Sequence, residues 1–293
     1  MIQKLLMTTG VDAALITDPY NMRYISGFRG GEGTLYISGE SRVLITDSRY
    51  TEAAGKESSF TVKECNRHHS TTDILKELIE AEAVQKLGYE DASMLCRTFH
   101  DYQQKLAMVQ QWVSLGEEVR KLRQIKKEEE LSCLRQAERI GDLAFSKILD
   151  VIRPGITEKE VRMELEYQMM KQGADGVSFD TIVASGIHSS MPHAIPTDKK
   201  IELGDFVTMD FGCRYQGYCS DMTRTIVVGK ANDRQKEIYQ LVLKANRVTE
   251  SLLRAGMICR EVDKIARDII TDAGYGDYFG HGLGHSVGLE IHE

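Results

Sequence analysis

The sequence lacks three features that would each indicate a particular class of protein. It has no apolar run that approaches the roughly 18 residues of a membrane-spanning helix, and its first residues hold too short an apolar stretch for a secretory signal. Its six cysteines are scattered, without the C-x-x-C spacing of zinc or redox sites. Positive charge is not in excess, because 37 Lys and Arg face 44 Asp and Glu, a net charge of −7. We therefore predict a cytoplasmic protein with reduced thiols that binds neither nucleic acid nor a membrane.

The segment 205–229 has the residue pattern of a β-hairpin. β-branched and aromatic residues are frequent in 206–211 and 218–228, and the polar stretch 214–217 between them ends in glycine. This pattern predicts two antiparallel strands joined by a tight turn.

Two aspartates would face each other across this hairpin. If Arg214 pairs with Gly217, Asp210 lies opposite Asp221, with the two Cβ atoms roughly 5 Å apart on one face. Facing carboxylates repel, so this pairing indicates either a shared proton or a bound cation, and hard divalent cations prefer carboxylate oxygen. The alternative is a solvated hairpin whose aspartates form ion pairs with Arg214 or Arg224.

A second group of candidate site residues lies in 279–293, which contains three of the eight histidines. The glycines between them disfavour a helix, so the spacing of four between His281 and His285 does not mark a helical pair. Glycine also lets the backbone approach a ligand closely. Because imidazole is both a common metal ligand and a ready acid or base, we interpret this stretch as part of a site.

Four separated segments resemble the metal-dependent proline peptidases, namely aminopeptidase P and prolidase (Xaa-Pro dipeptidase). In chain order they are Ser185-Gly-Ile-His-Ser-Ser-Met-Pro-His193-Ala-Ile-Pro-Thr, Asp210-Phe-Gly, Ser220-Asp221-Met-Thr-Arg-Thr, and the histidine-containing stretch from His281 to Glu293. These enzymes share the pita-bread fold with methionine aminopeptidase and creatinase. The resemblance covers nearly the whole chain and implies an α/β creatinase-like N-terminal domain followed by an α+β pita-bread domain.

The resemblance also implies the chemistry. It predicts hydrolysis of the peptide bond before proline by a metal-activated hydroxide, with proline-containing peptides or dipeptides as substrates and a homodimer as the assembly. It implies two divalent metal ions, most commonly manganese, with cobalt or zinc as alternatives. By this resemblance the metal ligands are Asp210, Asp221 and His285. The catalytic and substrate-binding residues are His193, His281 and His292. Thr223, on the strand face of the second aspartate, is a candidate to hydrogen-bond a ligand.

The chain is predicted to form two domains, residues 1–125 and 126–293. In the first, short strand patterns alternate with helical patterns, which is typical of an α/β layer structure. In the second, a helix–glycine–helix pattern around Gly155 recurs around Gly256, 101 residues later. This repeat predicts a pseudo-two-fold α+β domain in which each half runs helix, turn, helix, turn and strand. Sites commonly form between such halves.

One departure from the family concerns its metal ligands. The family has two further glutamates, in a Glu-Pro-Gly turn and an Arg-Ile-Glu-Asp strand, and this sequence ends at Glu293, before both. We therefore expect a truncated sequence that binds metal weakly and has little activity. Two alternatives are a non-catalytic pita-bread module that binds peptides or proteins, and a creatinase-type hydrolase that uses no metal. The retained aspartates argue against the second, and the long N-terminal domain argues against methionine aminopeptidase.

Overall fold

The computed structural model describes residues 2–293, which divide into two compact units. The first ends at Lys126 and the second runs from Lys127 to Glu293. Among the helices of residues 2–293, none has the length and apolar character that crossing a bilayer requires.

The first unit alternates helices with strands. Its elements are α1 (Ile2–Thr9), β1 (Ala13–Ile16), α2 (Pro19–Ser26), β2 (Thr34–Ser38), β3 (Arg42–Asp47), α3 (Thr51–Glu57), β4 (Thr61–Cys65), α4 (Thr71–Ala81), β5 (Lys86–Tyr89), α5 (Cys96–Lys105), β6 (Gln111–Ser114) and α6 (Glu118–Gln124). The strands form one sheet in the order β4-β3-β2-β1-β5-β6. Since β1 pairs antiparallel with β2 and parallel with β5, the sheet is mixed. The predicted α/β architecture of this domain is confirmed.

Helices cover both faces of this sheet because its central strand is apolar on both sides. Ala14 and Ile16 of β1 pack into a core with α1, α2 and α6, whereas Ala13 and Leu15 pack into a second core with α4 and α5. Successive side chains of a strand point to opposite faces. A strand that is apolar at every position therefore requires cover above and below the sheet.

The second unit places two helices before its strands and two after them. Its elements are α7 (Glu128–Ile148), α8 (Glu158–Lys171), β7 (Gly176–Val177), β8 (Ile182–Ser185), β9 (Phe206–Phe211), β10 (Cys213–Tyr215), β11 (Tyr218–Cys219), β12 (Met222–Val227), α9 (Asp233–Leu252) and α10 (Cys259–Asp272). Short 3-10 turns lie at Gly186–Ser190 and Gly276–Tyr278. The strands form two three-stranded sheets, β12-β9-β8 and β11-β10-β7.

Strand β9 separates the core of this unit from a polar face. Val207, Met209 and Phe211 are fully buried against α7 and α8. Thr208 and Asp210 alternate with them and are only partly buried. The two-residue period of the strand therefore sends the carboxylate away from the core.

The hairpin turns at a different place from the one predicted. Tyr215 pairs with Tyr218, so Gln216 and Gly217 form a two-residue turn. Both have positive φ, +46° and +77°. Two-residue hairpin turns of this hand match the right-handed twist of the flanking strands, which explains why this register is adopted.

The change of register gives Asp210 a different partner. Thr223, not Asp221, lies directly opposite Asp210 in β12, so the predicted pairing of the two aspartates is wrong. Asp221 lies just before β12 and is a diagonal neighbour of Asp210. The backbones approach closely here, since a Cβ on Gly212 would lie 1.9 Å from the carbonyl oxygen of Ser220.

The internal repeat is visible in the helix bounds. Helices α8 and α10 both have 14 residues, and α10 begins and ends 101 positions after α8. The glycines before and after these helices share the left-handed conformation, with φ of +94° at Gly155, +86° at Gly256, +99° at Gly173 and +86° at Gly274. The predicted strand of the second copy is wrong for the described residues, because α10 is followed by a 3-10 turn and then an irregular segment.

Candidate active site

The polar face of β9 opens into a cavity of about 460 Å³ within the second unit. The strands form its floor, and its walls come from the loop after β8 and the segment after α10. The cavity is lined by all six residues that the resemblance picks out: His193, Asp210, Asp221, His281, His285 and His292. The structure thus brings together residues that are up to 99 positions apart in the sequence.

Asp210 is held on the cavity floor by the strand next to it. Thr223 Oγ1 donates a hydrogen bond of 2.8 Å to Asp210 Oδ1. Burial raises the pKa of Asp210, and the Thr223 hydroxyl together with the His193 and His285 imidazoles offsets this only in part. Thr223 therefore hydrogen-bonds a candidate ligand, as the sequence predicts, but the ligand is the first aspartate rather than the second.

Asp221 is a carboxylate whose charge the surrounding groups do not balance. Burial and the charge of Asp210 both raise the pKa of Asp221, while His285 and His292 act in the opposite direction. Its backbone N–H donates to Glu138 Oε1 on α7 over 3.3 Å, which adds a further acid nearby. A cation at this place would relieve the repulsion between the carboxylates.

The imidazole of His285 is oriented as a ligand. Its Nδ1 lies 3.0 Å from the carbonyl oxygen of Ser286, and a carbonyl can only accept, so Nδ1 carries the hydrogen. Its Nε2 lies 3.2 Å from Asp221 Oδ2. In the neutral ring, Nε2 offers a lone pair. The Nε2 lone pair and the Asp221 carboxylate oxygen would therefore repel each other at this distance. A proton or a metal cation between them would remove the repulsion.

The donor chemistry of these three side chains fits a divalent metal ion. Carboxylate oxygen and imidazole nitrogen are the ligands that manganese, cobalt and zinc accept in proteins. Within residues 2–293, however, no three His, Cys, Asp or Glu side chains already stand in an arrangement that would enclose an ion. The residues that would hold one are Asp210, Asp221 and His285.

The other three histidines lie as neighbours around the same cavity. The rings of His193 and His281 meet edge to face with centroids 6.0 Å apart, and those of His285 and His292 meet similarly at 4.3 Å. His281 Nδ1 lies 2.7 Å from the carbonyl oxygen of Gly282, so its hydrogen is committed there. In the neutral His281 ring, Nε2 is therefore the nitrogen that remains as an acceptor.

The solvated-hairpin alternative is not what the structure shows for Arg224. Its guanidinium pairs with Asp142 at 3.2 Å and lies over the ring of Phe145 at 6.0 Å. Both partners belong to α7, so the Arg224 side chain lies on the side of the sheet that this helix covers.

The cavity also has an apolar wall that the sequence analysis missed. It is formed by Phe179, Ile182, Met191, Leu283 and Ile291. Ile182 is placed there because β8 pairs it with the first aspartate of β9. Met191, Leu283 and Ile291 carried a signal, since each falls inside a quoted motif and within two residues of a predicted histidine. Glu138 had none, because it belongs to a helix with many charged residues.

A pita-bread unit with carboxylates and imidazoles around one cavity, together with an α/β unit, defines the class of two-domain metallopeptidases. The chain belongs to metallopeptidase family M24, whose model matches residues 132–293. The model of the creatinase/prolidase N-terminal domain matches residues 1–125. The predicted family and fold are thereby confirmed.

Relatives and solved structures agree with this family. The chain is 44% identical over 293 residues to an uncharacterized peptidase, YqhT, of Bacillus subtilis, covering 100% of this chain and 82% of that protein. It is 40% identical over 285 residues to an Xaa-Pro dipeptidase of Pyrococcus horikoshii, covering 97% and 79%. The structure of an Xaa-Pro dipeptidase from Bacillus anthracis superposes with a TM-score of 0.95 at 42% identity, covering 100% of this chain and 82% of that one.

Proposed function

We propose that this protein is a metal-dependent peptidase that hydrolyses the peptide bond before proline. The observation that carries the proposal is the convergence of Asp210, Asp221 and His285 on one cavity, with a lone pair of the imidazole aimed at a carboxylate. Membership of family M24 and the likeness to proteins named Xaa-Pro dipeptidases support it.

The three candidate ligands would hold divalent cations, for which we propose manganese, with cobalt or zinc as alternatives. Such cations supply Lewis-acid polarisation of a carbonyl and lower the pKa of a water molecule. Thr223 keeps the Asp210 carboxylate oriented, and the Ser286 carbonyl keeps His285 in the tautomer that leaves Nε2 available. The chain itself therefore contributes orientation of the ligands.

His281 and His193 would handle protons on the substrate side. Because the Nδ1 hydrogen of His281 is bonded to the Gly282 carbonyl, its neutral ring takes a proton at Nε2 and, once protonated, gives it back. His193 lies beside it, with ring centroids 6.0 Å apart, so both imidazoles can reach one substrate.

The apolar wall suits a proline ring. Proline has no backbone N–H, so the pocket that receives it needs no hydrogen-bond acceptor at that point. Phe179, Ile182 and Ile291 provide apolar contact surface in the same cavity as the carboxylates. A cavity of about 460 Å³ is of the size that holds small ligands such as a short peptide.

The test is cleavage of Xaa-Pro and matched Xaa-Ala peptides by the full-length gene product. After treatment with EDTA, we expect activity only when Mn²⁺ is added back, and only on the proline substrate. Asp221→Asn is expected to abolish it, whereas Asp180→Asn, whose side chain is 97% exposed, serves as the matched control. Equal rates with and without metal, or equal cleavage of both peptides, would refute the proposal.

Two finer points accompany this proposal. Comparison of dipeptides with longer Xaa-Pro peptides distinguishes a dipeptidase from an aminopeptidase P. We also propose a homodimer and a cytoplasmic location, which light scattering and cell fractionation test.

A further inference from the structure

Two charged side chains of α10 bind the backbone of the segment that carries His281. Asp263 and Arg267 are one helical turn apart and form two hydrogen bonds, of 2.7 and 3.0 Å. The Arg267 guanidinium also donates to the carbonyl oxygens of Phe279 at 2.7 Å and His281 at 3.0 Å. Asp263 Oδ1 accepts from the backbone N–H of Leu283 at 2.9 Å. The pair thus holds three backbone groups within five residues.

Little else fixes the conformation of this segment. Residues 279–283 belong to no helix or strand. A Cβ added at Gly280 or Gly282 would meet nothing within 4 Å, so packing does not confine the backbone there. By contrast, a guanidinium presents several donors in one rigid plane, and its bonds here are charge-assisted on the Asp263 side. Arg267 also lies over the Phe279 ring at 4.5 Å, which adds a second contact with the same segment.

The internal repeat supplies a natural comparison. Arg162 and Glu166 of α8 occupy the positions equivalent to Asp263 and Arg267, with the order of charges reversed, and bond at 2.8 Å. They bond to each other, and Asp180 lies 3.7 Å from Arg162. Both pairs have the four-residue spacing that stabilises a helix modestly, but the pair in α10 also holds a loop.

We propose that Asp263 and Arg267 are positioning residues that clamp the 279–283 backbone and so keep the His281 ring beside His193 at the cavity. The consequence for catalysis rests on the proposed function, whereas the ordering of the segment does not. We assign no contact with the substrate to either Asp263 or Arg267.

The order of the segment is tested by hydrogen–deuterium exchange of the full-length gene product. Arg267→Met keeps an apolar stem over the Phe279 ring but removes every donor. We expect exchange of the peptide covering 279–284 to rise about tenfold in this variant, since its backbone becomes free to open locally. Arg267→Lys, which retains one charged donor group, should restore part of the protection. Arg162→Met is the matched control and should leave this peptide unchanged.

Steady-state kinetics on an Xaa-Pro peptide test the catalytic consequence. Because small misplacements of a reacting group are costly, we expect kcat to fall about 10- to 100-fold in Arg267→Met with KM changed by less than about threefold. Arg267→Lys should recover part of kcat, and Arg162→Met should match the wild type.

Each outcome decides a separate statement. Unchanged exchange at 279–284 in Arg267→Met would overturn the clamp. Raised exchange with an unchanged kcat would overturn its role in positioning His281. If the wild type cleaves no Xaa-Pro peptide, the proposed function fails, while the exchange comparison between the two methionine variants still decides whether the clamp exists.

Discussion

Replacement of Asp221 by asparagine removes a charge that the fold itself disfavours. Burial and the charge of Asp210 raise the pKa of Asp221, and the attraction from His285 and His292 offsets them only in part. Asparagine keeps the size and shape of the side chain and loses the charge. We therefore predict that Asp221→Asn makes the metal-free protein more stable at pH 7, although it removes a candidate metal ligand.

The sign follows from proton linkage. An acid with a raised pKa in the folded state contributes stability that is complete below its unfolded pKa, here near 3.8, and that is lost as the pH rises through the folded pKa. The asparagine variant does not undergo this loss. The difference in the free energy of unfolding between variant and wild type should therefore be largest near neutral pH and disappear in acid.

The expected gain in the free energy of unfolding is modest. The Asp221 side chain is 22% exposed, so solvent screens part of the repulsion. A gain of about 1 kcal/mol is reasonable for a partly buried charge, which corresponds to about 2–4 °C in Tm for a domain of this size.

Addition of metal should reverse the order of stability. A ligand that binds only the folded state at 100 times its Kd stabilises it by about 2.7 kcal/mol, or about 5–10 °C in Tm. The wild type should gain this increment with Mn²⁺, and Asp221→Asn should lose most of it because one of the carboxylates is gone.

Differential scanning calorimetry of the full-length gene product between pH 4 and 8, after chelation and again with Mn²⁺, measures both effects. Asp180→Asn carries the same charge change on a side chain that is 97% exposed, and it should behave like the wild type throughout. A metal-free Asp221→Asn protein with a lower Tm than the wild type at pH 7 would refute the reasoning, as would an equal Mn²⁺ increment in both proteins.

Three other substitutions test separate features of the second unit. Thr223→Val removes the 2.8 Å hydrogen bond to Asp210 and should weaken Mn²⁺ binding about tenfold in calorimetric titration, so an unchanged Kd would contradict the proposed ligand role. Gly212→Ala should destabilise the protein by about 1–3 kcal/mol in urea unfolding, because the new Cβ meets the Ser220 carbonyl oxygen at 1.9 Å, and wild-type stability would show that the hairpin tolerates the methyl group. Glu158→Gln should cost about 2–4 kcal/mol, since the buried carboxylate accepts five hydrogen bonds. Burial alone would raise the pKa of Glu158, but these hydrogen bonds outweigh burial and lower it, so the stability that the carboxylate contributes is present above pH 4.5 and should decline as the pH falls through the folded pKa. A cost that does not change with pH would contradict this account.

The parts of the structure that the sequence predicts well are those governed by local rules. Alternating strand and helix patterns predict the α/β unit, and the recurrence of Gly155 as Gly256 predicts the paired helices of the second unit. At both glycines the backbone adopts positive φ, a conformation that favours glycine, so the residue type itself marks the position in the sequence. The four motifs predict which residues line the cavity, because each motif adjoins a predicted strand or lies in a glycine-rich stretch.

The register of the hairpin shows where sequence reasoning stops. The polar stretch 214–217 is compatible with two hairpin turns that differ by one position. Which of the two turns forms depends on how well Gln216 and Gly217 fit the twist of the flanking strands. The predicted register placed Asp221 opposite Asp210, whereas Thr223 lies there in the structure, although both aspartates line the cavity. The convergence survives because a diagonal neighbour on an adjacent strand is still within reach of a shared ligand.

Long-range polar contacts could not be predicted from the sequence at all. The loop after β8 carries His193, and both its ends bond to the buried Glu158 at the start of α8 through Ser185 and Thr197. The segment after α10 carries His281 and bonds to Arg267. In sequence, each of these charges is one among many on a helix, and only the folded backbone shows which of them meets a loop.

The two halves of the second unit therefore hold their histidine-bearing loops with different charged side chains. In each half the second helix supplies ionised side chains that bond to the histidine-bearing loop that follows, Glu158 in the first copy and the Asp263–Arg267 pair in the second. The loops bury little apolar surface of their own, so packing cannot fix them, and charge-assisted hydrogen bonds from a helix take over that function. Because Glu158 is fully buried and Arg267 is partly exposed, disturbing the first should unfold its surroundings. Disturbing the second should loosen only the 279–283 segment.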